Sequence, residues 1–202
     1  MDFPAGATAL MVIDVQKAFD QMEAAGARRN NPDAVAKIAE LLEAFRHSGN
    51  PVIHIRHSNT DPQSRFHPFQ SGHEVRDEAR EIDGELVLVK TVNSAFIGTD
   101  LDARLQGDKI SHLVIVGATT NHCVETTTRM AGNLGYETFL VSDATWTFDR
   151  KGLDGRTYSA QDIHDMSLAN LQDEFCQVIR TSDVVANLPA TRGSNVTAKL
   201  RN

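Results

Sequence analysis

Cysteine is scarce: Cys123 and Cys176 are the two thiols among 202 residues. Two cysteines make no disulfide scaffold, so a small bridged secreted domain is excluded. Basic charge is also short. Twenty Lys and Arg face 27 Asp and Glu, a formal net charge of −7. That balance argues against nucleic-acid binding and against docking on an acidic membrane surface. No segment nears the ~20 apolar residues that span a bilayer. Met1-Asp2-Phe3-Pro4 carries neither a basic stretch nor an apolar run of the kind that directs export. The expected setting is therefore reducing and cytoplasmic, where the glycosylation match Asn195-Val196-Thr197 carries no weight. Internal repeats, low-complexity regions and long runs of like charge are absent too.

What is present suffices for a sizeable core, with hydrophobic residues at 41%. The expectation is one domain over residues 1–188 and a polar tail over 189–202. Thr8 to Ile13 is apolar on both faces, as in a buried parallel strand. Asn31-Pro32-Asp33 reads as a helix start, with Val35, Ile38, Leu41, Leu42 and Phe45 on one face and Gly49 as the stop. A strand at Val52–Arg56 follows. The polar stretch 57–84 holds one short helix near His73 to Glu81. Leu86–Val89 is the third strand, and Thr99 caps a helix through Leu101 and Leu105. Leu113–Val116 is the fourth strand, with a helix from Val124 to Leu134. Thr138–Val141 is the fifth, before a polar loop over 144–158. Ser159 and Asp162 cap a helix to about Glu174, and Gln177–Arg180 is the sixth strand. Strands alternating with helices predict a three-layer α/β/α sandwich on a mostly parallel sheet.

Ligands of such sheets bind beyond the carboxyl ends of the strands. The residues just past the first, third and fourth strands include Asp14, Lys90 and Cys123. In Leu113-Val114-Ile115-Val116-Gly117-Ala118-Thr119-Thr120-Asn121-His122-Cys123, a strand passes through a tight turn to a thiol opening a helix. N–H groups and the dipole at a helix start favour an anion and predict a lowered thiol pKa. Each residue has a blander reading: a small buried hydrophobe for Cys123, a helix cap for Asp14, an edge charge for Lys90. Their joint position favours chemistry. Asp14 accepts a proton, Lys90 supplies an ammonium, Cys123 attacks a carbonyl, and the turn offers oxyanion donors.

These residues resemble the isochorismatase-like cysteine hydrolases, which include nicotinamidases and N-carbamoylsarcosine and ureidoacrylate amidohydrolases. The resemblance rests on Val12-Ile13-Asp14-Val15-Gln16 with Phe19, on Lys90 with Asn93-Ser94-Ala95-Phe96 and Thr99-Asp100-Leu101, and on Gly117 to Thr127. It spans residues 8–188, nearly the whole chain. It implies a six-stranded parallel sheet in the order 3-2-1-4-5-6 and a triad of Asp14, Lys90 and Cys123. It also implies a cis peptide at Ala118–Thr119, an oxyanion hole from the N–H groups of Thr119 and Cys123, and a homodimer or higher oligomer.

Nicotinamidase-like members hold a metal through an Asp-x-His pair after the second strand. Here that region reads Ile53-His54-Ile55-Arg56-His57-Ser58-Asn59, with His67 and His73 beyond. His54 and His57, three apart on a strand, face opposite sides. The expectation is no metal and no cofactor, a packed His54 and a pocket-lining His57. The expected pocket residues are Gln16, Phe19, His57, Asn59, Phe66, Phe96, His122, Trp146 and Phe148, while Cys176 is structural. The reading is a cysteine-dependent hydrolase cleaving a C–N bond of a small amide, ureide or carbamoyl compound through a thioester. One alternative is Asp14-driven vinyl-ether hydrolysis of an isochorismate-like acid, with Arg56, Arg65 and Lys90 available to its carboxylates. The other is a redox-responsive thiol or binding protein.

Overall fold

A computed structural model describes residues 2–189; from residue 190 onward the polar tail lies outside the described residues. The elements are β1 (Thr8–Ile13), α1 (Ala18–Ala24), α2 (Ala34–Ser48), β2 (Val52–His57), β3 (Leu86–Lys90), α3 (Leu101–Gly107), β4 (His112–Ala118), α4 (Glu125–Asn133) and β5 (Glu137–Trp146). A short hairpin, β6 (Arg150–Lys151) and β7 (Thr157–Tyr158), precedes α5 (Ala160–Leu171), β8 (Gln177–Ile179) and α6 (Thr181–Asn187). Six strands form one sheet in the order β3-β2-β1-β4-β5-β8, and every neighbouring pair is parallel. This is the predicted sheet, with β8 as its sixth strand.

The period of two along β1 divides its side chains between two cores. Leu10 and Val12 face α2, whose Val35, Ile38, Leu41, Leu42 and Phe45 are buried against them. Ala9, Met11 and Ile13 face Leu101 and Leu105 of α3, Ala131 of α4 and Leu171 of α5. Each large apolar side chain so buried contributes about 1.5–3 kcal/mol. The chain runs outward from β1 through β2 to β3, then crosses back to β4 on the other side of β1. The switch point therefore lies between β1 and β4, where α/β sheets open a crevice beyond the strand ends.

Several boundaries differ from the sequence reading. Helix α1 has no counterpart there. Asn31 does not cap α2; Asp33 precedes its first residue, and Asn31 takes a positive φ of 45° with its amide Nδ2 donating to the carbonyls of Ser142 and Thr145. The expected helix near 73–81 is two 3₁₀ turns, Ser71–His73 and Asp77–Ala79. The helix expected from Val124 begins a turn earlier, as a π-helical turn over Thr120–Val124. Strand β5 runs on to Trp146 through a register shift against β4, so the expected loop over 144–158 starts as sheet. Cys176 is buried, as expected of a structural residue.

Gly117 is required where it stands. Its φ is +118°, and a Cβ there would fall 2.0 Å from the Ile13 carbonyl oxygen. Gly135 has φ +89°, but a Cβ added to it would meet nothing within 4 Å. Gly117→Ala is expected to cost more than about 3 kcal/mol in urea unfolding, whereas Gly135→Ala costs only the left-handed backbone penalty of about 1–2 kcal/mol. Equal losses in the two variants would contradict this.

Candidate active site

Asp14 ends β1 with φ 51°, a conformation Asp tolerates better than most side chains. Its N–H donates to the Ile55 carbonyl at 2.9 Å, and its own carbonyl accepts from Gln16 N at 2.8 Å. The side chain thereby turns into the crevice. Lys90, last in β3, donates from Nζ to Asp14 Oδ2 at 2.7 Å. The side chains are 0% and 2% exposed, Lys90 and Asp14 respectively. Asp14 Oδ1 has no hydrogen-bond partner among the described residues. Burial drives the Asp14 pKa above the ordinary 3.8, and the Lys90 charge opposes that shift.

Cys123 lies in the π-helical turn beyond β4. One carboxylate oxygen of Asp14, one ring nitrogen of His57 and Cys123 Sγ all lie within 4.8 Å of one another. The Ala118–Thr119 peptide is cis. Among the described residues, the Thr119 N–H donates to no backbone carbonyl. The thiol pKa does not fall as the helix-start argument predicted. Burial, and then the Asp14 charge, push it up to about 12. In a desolvated pocket beside a carboxylate, a second anion is disfavoured more than the helix dipole favours it.

The structure distributes the expected pocket residues unevenly. His57 joins Asp14, Lys90 and Cys123: its Nδ1 is 3.5 Å from Lys90 Nζ, and burial followed by the Lys90 charge lowers its pKa. As a neutral ring receiving the ammonium at Nδ1, it presents Nε2–H as a donor. His122 is half-buried, and its Nδ1 is 3.2 Å from Arg150 Nη2. Phe66 stands edge-on to His57 at 5.4 Å and to Phe19 at 5.2 Å. Phe19 in turn meets Trp146 and Phe148, each at 5.9 Å. Trp146 is 0% and Phe148 3% exposed, and both pack with Phe19 in the core cluster on the α2 side of the sheet. Their polar neighbours, Thr145 and Thr147, mask a strand that is buried on both faces.

Gln16, Asn59 and Phe96 each make contacts within the fold. Gln16 is fully buried; its Oε1 accepts from His57 N at 2.9 Å, and its Nε2 donates to the carbonyls of His57 and His73 at 3.0 and 2.8 Å. It ties the end of β2 and the 3₁₀ turn to β1. Asn59 Oδ1 accepts from Asp61 N and closes a turn. Phe96 stacks on Tyr136, the residue before β5, with ring centroids 6.0 Å apart.

A polar network behind the Cys123 turn has no counterpart in the sequence reading. His164 of α5 bonds Thr120 Oγ1 at 2.9 Å through Nδ1, and its Nε2 is 3.5 Å from Asn31 Nδ2. Thr147 donates from Oγ1 to Asn121 Oδ1, and its N–H donates to Asn30 Oδ1. Asn30, Asn31, Thr147 and His164 thus brace residues 120 and 121. The signal available was weak, since Asn and Thr in irregular segments suit surface turns equally well.

The four histidines do not converge. His54 is buried against Glu85 at 2.9 Å, and His67 Nδ1 accepts from Phe69 N. Among the described residues, the grouping suited to a cation is Asp14, His57 and Cys123. The Lys90 ammonium touches the first two, so a divalent ion there would face a fixed positive charge. Of the three cations considered for a carboxylate, Arg56 pairs with Glu81 and Lys90 with Asp14, while Arg65 has no acid partner among the described residues. No helix among the described residues is long and apolar enough to cross a membrane.

The isochorismatase domain model matches residues 8–183. The chain is similar to the uncharacterized isochorismatase family protein YrdC of Bacillus subtilis, 44% identical over 88% of this chain and 94% of that one. It superposes on an isochorismatase-family protein from Chromobacterium violaceum with a TM-score of 0.89 and 42% identity, covering 93% of this chain and 96% of the other. Ureidoacrylate amidohydrolase RutB of Variovorax paradoxus is 29% identical over 68% of each chain. The chain belongs to the isochorismatase family of hydrolases.

Removing the ammonium leaves a buried carboxylate uncompensated. Lys90→Met is expected to cost about 3–5 kcal/mol at neutral pH. The raised Asp14 pKa means that the folded state holds its proton more tightly than the unfolded one. The penalty therefore stays small below pH 3.8 and grows as pH rises through the elevated folded-state pKa. Denaturant titrations at several pH values check the slope; a penalty independent of pH would contradict it.

Proposed function

We propose that this hydrolase cleaves a C–N bond of a small amide, ureide or carbamoyl compound by nucleophilic catalysis at Cys123. The observation that supports this best is the unpartnered Asp14 Oδ1 in a carboxylate grouped with the Cys123 thiol, while Lys90 holds Oδ2. A relative named as an amidohydrolase is consistent with it.

The charges suggest the order of events. Lys90 ammonium, Asp14 carboxylate and Cys123 thiol form a neutral resting set. The thiol keeps its proton until a substrate arrives, because a free thiolate would add an uncompensated charge. As Sγ attacks the carbonyl carbon, its proton passes to Asp14, and the summed charge of triad and substrate stays constant. The negative charge moves to the carbonyl oxygen, where the N–H groups of Thr119 and Cys123 receive it. Collapse of the tetrahedral species breaks the C–N bond, and Asp14 returns the proton to the departing nitrogen. A water then gives a proton to Asp14, attacks the thioester and regenerates the thiol. Neutral His57, with Nε2–H available, faces the same small volume.

Cys123→Ala is expected to lower turnover by at least about 10³-fold while leaving the unfolding transition in place, and intact mass should find the acyl group on Cys123 alone. Full turnover by that variant would end the proposal. Because Asp14 must be ionised to accept the proton, the acid limb of kcat/KM should lie above 3.8, and Asp14→Asn should abolish that limb together with the activity. Turnover should withstand a chelator; loss of activity on chelation would replace this reading with a metal-dependent one.

A further inference from the structure

His57 ends β2 and is held from three sides. Gln16 takes both of its backbone groups, accepting from N at 2.9 Å and donating to the carbonyl at 3.0 Å. Phe66 stands edge-on to the ring at 5.4 Å. Lys90 Nζ lies 3.5 Å from Nδ1. An ammonium only donates, so Nδ1 accepts and the proton of the neutral ring sits on Nε2. Burial and the Lys90 charge favour that neutral form. Among the described residues Nε2 has no partner, yet it is not sealed off as His54 Nδ1 and His73 Nε2 are. The ring thus presents one fixed, open N–H donor in a group with Asp14 and Cys123 whose atoms lie within 4.8 Å of one another.

The two halves of the proposed reaction ask different things of such a donor. In the first half, the atom next to Asp14 is the departing nitrogen. Its single lone pair takes the proton from Asp14, and none is left to accept from Nε2–H. In the second half, that place belongs to water. One lone pair of the water oxygen forms the bond to carbon, and one proton goes to Asp14 Oδ1, which has no other partner among the described residues. The second lone pair is free to accept from Nε2–H. A water in attacking position stands about 3–3.5 Å from the thioester carbon, within reach of a ring grouped this closely with Sγ. A donor and an acceptor on fixed side chains then select one orientation of that water out of many.

We infer that His57 is a catalytic residue of the hydrolytic half-reaction, its Nε2–H holding the water that attacks the thioester. The inference rests on the proposed thioester at Cys123. The oxygen–carbon bond forms as one water proton passes to the Asp14 carboxylate. The carbon–sulfur bond then breaks, and Asp14 gives that proton to Sγ, leaving a free acid and a thiol. His57 keeps its own proton throughout.

The ester p-nitrophenyl acetate separates the two steps, because its acyl group loads Cys123 without a nitrogen having to leave. Rapid mixing follows release of p-nitrophenol, which reports acylation, and intact mass of quenched samples follows loss of the acetyl group. Cys123→Ala protein supplies the background. His57→Leu should acylate within about twofold of wild type but deacylate about 10- to 100-fold more slowly, so that turnover falls and the acetyl adduct accumulates. His57→Gln, whose amide can accept from Lys90 and donate to water, should recover part of the deacylation rate. Hydroxylamine adds a readout that damage to the fold would not move. Its attacking nitrogen uses its one lone pair on carbon, so His57→Leu should raise the ratio of acetohydroxamate to acetate by the factor lost in deacylation.

A ring that acted only by holding Lys90 would slow both steps alike. Equal slowing, or an unchanged hydroxamate ratio, therefore overturns the inference. If His57→Leu lacks a cooperative unfolding transition, His57→Ala, which places no large apolar side chain against Lys90, carries the same expectation. An adduct on Cys123 whose loss ignores His57 overturns this inference alone. Release of p-nitrophenol above background with no adduct on Cys123 in any of the proteins overturns the thioester reading together with it.

Discussion

The buried pair between Asp14 and Lys90 is the constraint on which the site depends. Two unit charges without solvent contact are stable only while each has the other, and losing either leaves a charge in a low-dielectric interior. The pair joins the ends of β1 and β3, which are separated in the sheet by β2. It can form only if the strands end at matching heights, and the register of β2 against both neighbours supplies that match. Gln16 then binds the end of β2 to the same point. The charge pair, the strand register and one buried amide thus specify a single geometry from three directions.

The same constraint explains a thiol pKa near 12 at a position where helix geometry predicts a lower one. Lys90 balances one anion. With Asp14 ionised, a thiolate would be a second, and burial makes that costly. A thiol that remains protonated until a substrate is in place is also a poor target for oxidation, since the thiolate is the form that oxidises. This weakens the redox-responsive reading of Cys123 and favours proton transfer coupled to attack.

Much of the architecture could be read from residue order, because buried parallel strands are apolar runs and their last residues point into one crevice. Asp14, Lys90 and Cys123 were visible for that reason. The pocket was less legible. Which way a side chain faces in an irregular segment follows no period, so Gln16 and Asn59 could not be distinguished from ligand contacts. Trp146 reads as part of a loop because β5 continues through a register shift, and the threonines beside it resemble loop composition. Arg29, half-buried with its guanidinium over the Trp146 ring at 5.0 Å, shows the same difficulty from the other side: a charged residue packs against an aromatic core. His164 and Asn31 meet behind the Cys123 turn although they are 133 positions apart, a separation at which no local pattern exists.

Gly117 packs its backbone directly on Ile13, the residue before Asp14. The acid and the turn carrying the thiol therefore extend from two strands in van der Waals contact, and they move as one body. The hairpin of β6 and β7, two residues per strand, is instead fastened through side chains, Arg28 to Asp149 and Arg150 to His122. A backbone closed on a backbone leaves no room for a side chain at all, whereas contacts between side chains survive many exchanges of one polar group for another. The crevice end of the sheet is therefore the part of this fold in which the fewest sequences fit.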